Sequence, residues 1–383
     1  MSRSLIILTC ILLFALLSAC RDDVELFVSE ELALTPPDET GGYQGFYLLN
    51  EGNMGSNKAT LDFYDFDTGT YKRNIYAERN PDVPKELGDV GNDIQIYGSK
   101  LYAVINVSNK VEVMNAQTAT RIGQIEIPNC RFIRFHGAYA YVTSYAGPVE
   151  INPDYTQRGY LAKVDTATLQ VVDECLVGFQ PDELTISGGK IYVANSGGYM
   201  GSGNTDNYER TVSVIDIETF TEEKRIDVAP NLHRIRTDQQ GNLWVSSRGD
   251  YKGLPSRLFF IDAQKQAVTD TLDVPVSSCC MVGDSLYVCS VSWSYTSYSN
   301  EITYAIVNTQ TRKILTRNFI TDGTEEEIEI PYSVMVHPAS GYIFLTDAGN
   351  YVTPGLLYCF NSEGEKLWSV RTGDIPAHFA LLK

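Results

Sequence analysis

The chain has 383 residues, 43% of them hydrophobic and 20% charged, with 48 acidic against 30 basic side chains and a formal net charge of −18. An acidic balance of that size argues against nucleic acid or an anionic membrane surface as a partner, since like charge repels both. The length admits two domains, but one repeating unit occupies nearly all of it.

At the N-terminus, Arg3 is followed by an almost wholly apolar stretch, residues 5–17, which reads as the n- and h-regions of a secretion signal. It is too short to span a bilayer as a helix. The stretch ends Leu17-Ser18-Ala19-Cys20, which resembles the lipobox of bacterial lipoproteins. That resemblance implies a signal peptide over residues 1–19 and lipidation of Cys20. Arg21-Asp22-Asp23-Val24-Glu25 follows, and an acidic run at this place resembles the surface-export signal of some Gram-negative lipoproteins. The expected location is therefore the outer membrane, lipid-anchored and surface-exposed, with a periplasm-facing orientation as the alternative. Residues 20–44, including Pro36-Pro37 and Gly41-Gly42, read as the lipidated cysteine and a flexible tether.

From residue 45 to residue 383 the pattern is strand throughout. An aromatic sits in a short apolar run at Tyr47, Tyr102, Tyr141, Tyr192, Trp244, Tyr287 and Phe344. The next run closes on Asp65, Asn115, Asp165, Asp216, Asp262, Asn308 and Asn361, and in five cases a Thr stands three residues on. Asp or Asn in that position bonds the backbone ahead of it, which is turn chemistry. Seven copies at about fifty residues, each with room for four strands, predict an all-β, seven-bladed β-propeller. Inner strands precede six of the aromatics. The seventh, residues 378–382, lies at the C-terminus and is expected to pair with the N-terminal strands and close the ring, because an open ring would leave strand edges unpaired. The unit Tyr192-Val193-Ala194-Asn195, followed by Val212-Ser213-Val214-Ile215-Asp216 and Thr219, resembles the YVTN repeat of YncE-like propellers.

Turns between first and second strands are tight, as at Gly188-Gly189 and Gly283-Asp284. On the opposite side the second and third strands are joined by long segments, residues 50–59, 145–159, 195–210, 248–256, 291–301 and 347–355. Loops of that length in a compact domain are usually functional, and these are rich in Tyr, Trp, Asn and Ser, which suit a binding face. The candidate ligand-binding residues on them are Asn50, Asn53, Tyr145, Asn195, Tyr199, Arg248, Tyr251, Trp293, Tyr295, Asp347 and Tyr351. At the central mouth the aligned inner-strand position holds Asp93, Phe132, Glu183, His233, Cys279, Ser333 and His378. Asp93, Phe132, His233 and His378 join the candidates from there, with the adjoining Tyr332.

No metal-binding or nucleophile motif stands out, so neither a metal site, an intrinsic cofactor nor catalytic residues are expected, and the protein reads as a non-enzyme. Cys279-Cys280 is a pair that can form a strained vicinal disulfide, a flat apolar surface of the kind found in quinoprotein dehydrogenases. For the remaining cysteines of the mature chain, disulfides, which an exported protein permits, and small buried hydrophobes are equally good readings, and Trp368 reads as a packing residue. A YncE-like propeller behind a lipobox and an acidic export signal, with an open Tyr/Asn-rich face, resembles the surface cobalamin-binding lipoproteins of BtuG type. The resemblance implies capture of cobalamin (vitamin B12) or related corrinoids and hand-over to a TonB-dependent outer-membrane transporter. Two other readings stand beside it: a quinoprotein-like or lactonase-type propeller enzyme, and a structural or adhesive surface protein.

Overall fold

The computed structural model describes residues 28–150, 154, 156–201, 204–294 and 298–383. The signal segment and Cys20 lie outside these. Seven antiparallel sheets form the ring, six of four strands and one of five. Counting strands outward from the axis, blade 2 runs from Gly91–Tyr97 to Arg121–Glu126 and blade 3 from Cys130–His136 to Gln170–Leu176. Blade 4 runs from Pro181–Ser187 to Thr221–Asp227, and blade 5 from Leu232–Thr237 to Ala267–Leu272. Blade 6 spans Ser278–Val282 to Lys313–Thr316, and blade 7 spans Pro331–Val336 to Lys366–Asp374.

Blade 1 closes the ring. Its innermost strand is the C-terminal Pro376–Leu382, which pairs with Gly45–Asn50 in the register Gly45↔Leu382 to Leu49↔His378. The expected closure is therefore present. The expected tether is not free over its whole length: Glu30–Ala33 pairs with Thr70–Arg73 as a fifth, outermost strand. The segment after it is anchored too, with the Thr35 carbonyl accepting from Tyr64 (2.8 Å) and from the Trp368 indole (2.9 Å). An outer strand presents unpaired backbone groups, and this segment supplies partners for them.

The repeated aromatics fasten blade to blade. Tyr102 packs with Ile133 and Val142 of blade 3, Tyr141 with Leu184 and Val193 of blade 4, and Trp244 with Leu286 and Val288 of blade 6. The core is thus a set of clusters between neighbouring sheets, not one central mass. The Asx turns form as read: Asp165 Oδ1 accepts from the N–H of Ala167 and Thr168, and Asp216 Oδ1 from Glu218 and Thr219.

A second recurring feature has no sequence signature. The residue just before the inner strand is left-handed in five blades, at Val90 (φ 59°), Asn129 (47°), Gln180 (44°), Asn231 (59°) and Ile375 (55°). Asn tolerates this conformation, whereas a β-branched side chain is strained in it. Replacing Val90 with Asn, as blades 3 and 5 have it, is expected to stabilise the protein by about 1 kcal/mol. The check is a higher urea midpoint at unchanged slope.

Candidate functional site

Second and third strands are joined by the longer connections on one side of the ring, as expected, with one difference. In blade 6 the second and third strands run on as Ser285–Ser294 and Ser299–Asn308, ten residues each, so the expected loop is largely a projecting hairpin. Inside this rim, over the axis, lies a cavity of about 1070 Å³. Among the candidates, its lining includes Phe132, His233, Arg248, Tyr251, Trp293, Tyr332, Tyr351 and His378.

The other candidates lie elsewhere. Asn50 and Asn195 are fully buried at blade ends. Asn50 donates to Thr60 at 3.0 Å, while Asn195 donates to Ser213 at 2.9 Å and accepts from the Gly178 N–H at 3.1 Å. Asp347 is also buried, and its carboxylate takes the N–H groups of Glu329, Ile330 and Gly349. These three are framework rather than cavity wall. Asn53 sits in the blade 1 loop with its carbonyl accepting from Ser56. Tyr145 and Tyr199 meet edge-on at 5.1 Å, and the Arg131 guanidinium lies 4.8 Å from the Tyr145 ring centre, so the pair backs the cavity from behind. Tyr295 lies outside the described residues.

The register corrects the mouth alignment in two blades. The residue two before the partner of the repeated aromatic is Asp93, Phe132, Glu183, Ser333 and His378 in blades 2, 3, 4, 7 and 1. In blade 5 it is Arg234, and in blade 6 Ser278, because Arg236 faces Trp244 and Cys280 faces Tyr287. His233 and Cys279 stand one step aside, which turns each to the other sheet face. Cys279 is buried in the cluster between blades 5 and 6, while Cys280 accepts from the Val336 N–H. Both are free thiols in this structure, as are the other four cysteines among the described residues.

Below the mouth the charges are paired around the axis. Glu183 is 1% exposed and holds Arg134 of blade 3 and Arg236 of blade 5; one of its oxygens also accepts from the Ile235 N–H at 3.1 Å. Burial works against its charge, but Arg236, Arg134 and Arg234 outweigh it and bring the carboxyl down to about 2. Asp93 repeats the arrangement two blades earlier, accepting from Ile133 N–H at 3.0 Å and from Arg134 at 2.7 Å. Nearer the cavity, Asp182 carries Arg131 (3.2 Å), Arg248 (3.3 Å) and His233 Nδ1 (2.9 Å). His233 is pushed down to about 3, first by burial and then by Arg248 and Arg234, against the pull of Asp182. On the far rim Glu51 accepts from the Tyr332 hydroxyl at 2.8 Å and stands 3.2 Å from His378 Nε2.

Arg131, Arg234, Asp182 and Glu51 were not singled out from the sequence. The signal available was the pair of matching inner strands Cys-Arg-Phe-Ile-Arg and Leu-His-Arg-Ile-Arg, with Pro-Asp-Glu between them in blade 4. Charge alternating within strands that should be buried announces a paired network. Among the described residues no group of three His, Cys, Asp or Glu side chains is placed to hold a metal ion, and no helix is long and apolar enough to cross a membrane.

Comparison with solved structures gives the same architecture at low identity. Hydrazine synthase of Kuenenia stuttgartiensis matches at 17% identity and a TM-score of 0.55, over 71% of this chain and 77% of that one. A quinonprotein alcohol dehydrogenase-like protein from Bacteroides thetaiotaomicron matches at 13% and 0.57, over 89% and 78%. The computationally designed Ika8 protein matches at 10% and 0.53, over 91% and 93%. Likeness at these identities speaks for the fold alone. No curated protein matches the chain. Residues 44–377 match the family described as Domain of unknown function (DUF5074), and the chain belongs to that family.

Proposed function

We propose that the protein captures cobalamin or a related corrinoid in the mouth of the ring and passes it to a TonB-dependent outer-membrane transporter. In this reading it is a BtuG-type, YncE-like lipoprotein tethered through Cys20 on the outer face of the outer membrane. The observation that carries the reading is the cavity itself. At about 1070 Å³ it stands at the upper end of the ~300–1,000 Å³ usual for small-molecule sites. Its rim bears exposed Tyr251 (61%), Trp293 (53%) and Tyr351 (39%), and its floor has buried Phe132 beside Arg234 and His378. A corrinoid is broad and rimmed by amides, with a nucleotide loop on one side. Such a ligand needs aromatic edges and many hydrogen-bonding groups around a wide bowl, rather than a deep slot. Rim aromatics on a rigid ring limit the ordering cost of binding and slow release.

Purified protein from residue 21 onward, mixed with cyanocobalamin and desalted, is expected to elute red at one equivalent. Tyr251→Ala and Trp293→Ala are each expected to weaken binding at least ten-fold. Because both side chains are more than half exposed, neither change should alter thermal stability. Colourless elution at micromolar protein would sink the corrinoid reading.

A further inference from the structure

We propose that the mouth holds an anion-binding subsite, in which Arg234, with Arg248 beside it, receives a carboxylate or phosphate group of the ligand above the ring of Phe132. The proposal rests on the reading of the mouth as a ligand site and assigns the chemistry of one side of that ligand.

The protein as a whole carries a net charge of −18, so most of its surface repels anions. At the mouth, Arg131, Arg234 and Arg248 all line one cavity, and the carboxylate Asp182 pairs with only two of them. Two of the three are accounted for: Arg131 bonds one Asp182 oxygen at 3.2 Å and Arg248 the other at 3.3 Å, where His233 Nδ1 also lies at 2.9 Å. Asp182 is fully buried and fully subscribed. Arg234 is left over. Its Nε donates to the Ser277 carbonyl at 3.1 Å, and its guanidinium carbon stands 5.3 Å from the Phe132 ring centre. Its four terminal N–H groups find no partner and no ion pair among the described residues. Yet it lines the cavity together with Arg248, His233 and Phe132.

A guanidinium packed on an aromatic face, with its fork unspent, is pre-aimed for a planar or tetrahedral oxyanion. His233 reports the local field. Its Nε2 lies 3.3 Å from Arg248 Nη2 and accepts from it, so the ring is neutral with Nδ1–H donating to Asp182. The ring stays neutral beside a carboxylate at 2.9 Å first because burial disfavours its charge, and then because Arg248 and Arg234 repel it. The far rim offers the reverse character through Glu51. The bowl is therefore polarised, cationic along blades 3 and 5 and acidic at blade 1, and an asymmetric ligand is oriented across it.

The test is calorimetric titration of the full protein with inorganic phosphate and, separately, with succinate, at ionic strength matched with sodium chloride. Saturable binding of either supports the subsite, and the one that binds identifies the oxyanion. Arg234→Gln is expected to lower that affinity at least ten-fold without changing the melting temperature. Arg234→Lys, which keeps the charge but not the fork, should fall between it and the parent. Arg210→Gln, on an exposed arginine paired with Asp227, should change nothing. No binding of either probe overturns the proposal, as does equal binding by the parent and Arg234→Gln. If cyanocobalamin is retained while neither anion binds, the subsite falls and the capture reading stands. Anion binding without cobalamin retention leaves the subsite standing and overturns the capture reading.

Discussion

Glu183→Ala is expected to destabilise the protein by roughly 3 kcal/mol or more, because it breaks a buried ion pair by removing one side only. The carboxylate is 1% exposed and joins three blades: it belongs to blade 4, pairs with Arg134 of blade 3 and Arg236 of blade 5, and accepts from the blade 5 backbone at Ile235. Alanine leaves an N–H without its acceptor and Arg236 without its only carboxylate among the described residues. Arg134 keeps Asp93 at 2.7 Å, and both guanidiniums retain some water access, with 21% and 26% of their side-chain surface exposed. That access places the expected cost at the lower end of the usual range of about 3–5 kcal/mol. Glu183→Gln keeps an acceptor for Ile235 and loses only the charge, so it should cost about half as much. Urea unfolding at pH 7 ranks the two. A loss below about 1 kcal/mol for alanine would mean that water replaces the carboxylate without penalty.

Stability is expected to fall as the pH drops from 7 to 5, by about 2 kcal/mol from one residue. In the unfolded chain His233 titrates near the ordinary 6.5, whereas in the folded ring burial, Arg248 and Arg234 hold it down to about 3. Between these values the unfolded state binds a proton that the folded state excludes. Folding is then favoured less with each step down in pH, at about 1.4 kcal/mol per unit. The stability is whole above 6.5 and is lost on the acid side. Glu183 and Asp182, both held below their ordinary values, continue the loss under about pH 4.5. His337, lowered by burial, works in the same direction as His233. His233→Gln, which can still donate to Asp182, is therefore expected to flatten the curve between pH 7 and 5 without levelling it. Urea midpoints at both pH values test this, and identical slopes for parent and variant would refute it.

Features set by local chemistry could be read without coordinates. Asp65, Asp165 and Asp216 mark turns because an Asx side chain bonds the backbone two and three residues on, wherever the chain is. Tyr102, Tyr141 and Trp244 mark second strands because each blade must present a large apolar group to the next. Closure through residues 378–382 followed from counting strands. The mouth was harder. Inner strands carry irregularities between Gly91 and Asp93, Pro181 and Leu184, and Leu232 and Ile235, whereas Ser278–Val282 pairs without one. A bulge adds a residue without a residue type to announce it, so the alignment placed His233 and Cys279 where Arg234 and Ser278 stand.

Period-two patterning and turn chemistry act over a few residues, so the seven-fold repeat, the all-β class, the way the ring closes and the side on which the longer connections gather are all legible in the chain. Which side chains meet at the axis is a matter of how the blades are arranged in space. The pairing of Glu183 with Arg134 and Arg236, the sharing of Asp182 by Arg131, Arg248 and His233, and the unspent fork of Arg234 all join residues from different blades. Their separations depend on strand register and ring curvature, and no local pattern in the chain carries either.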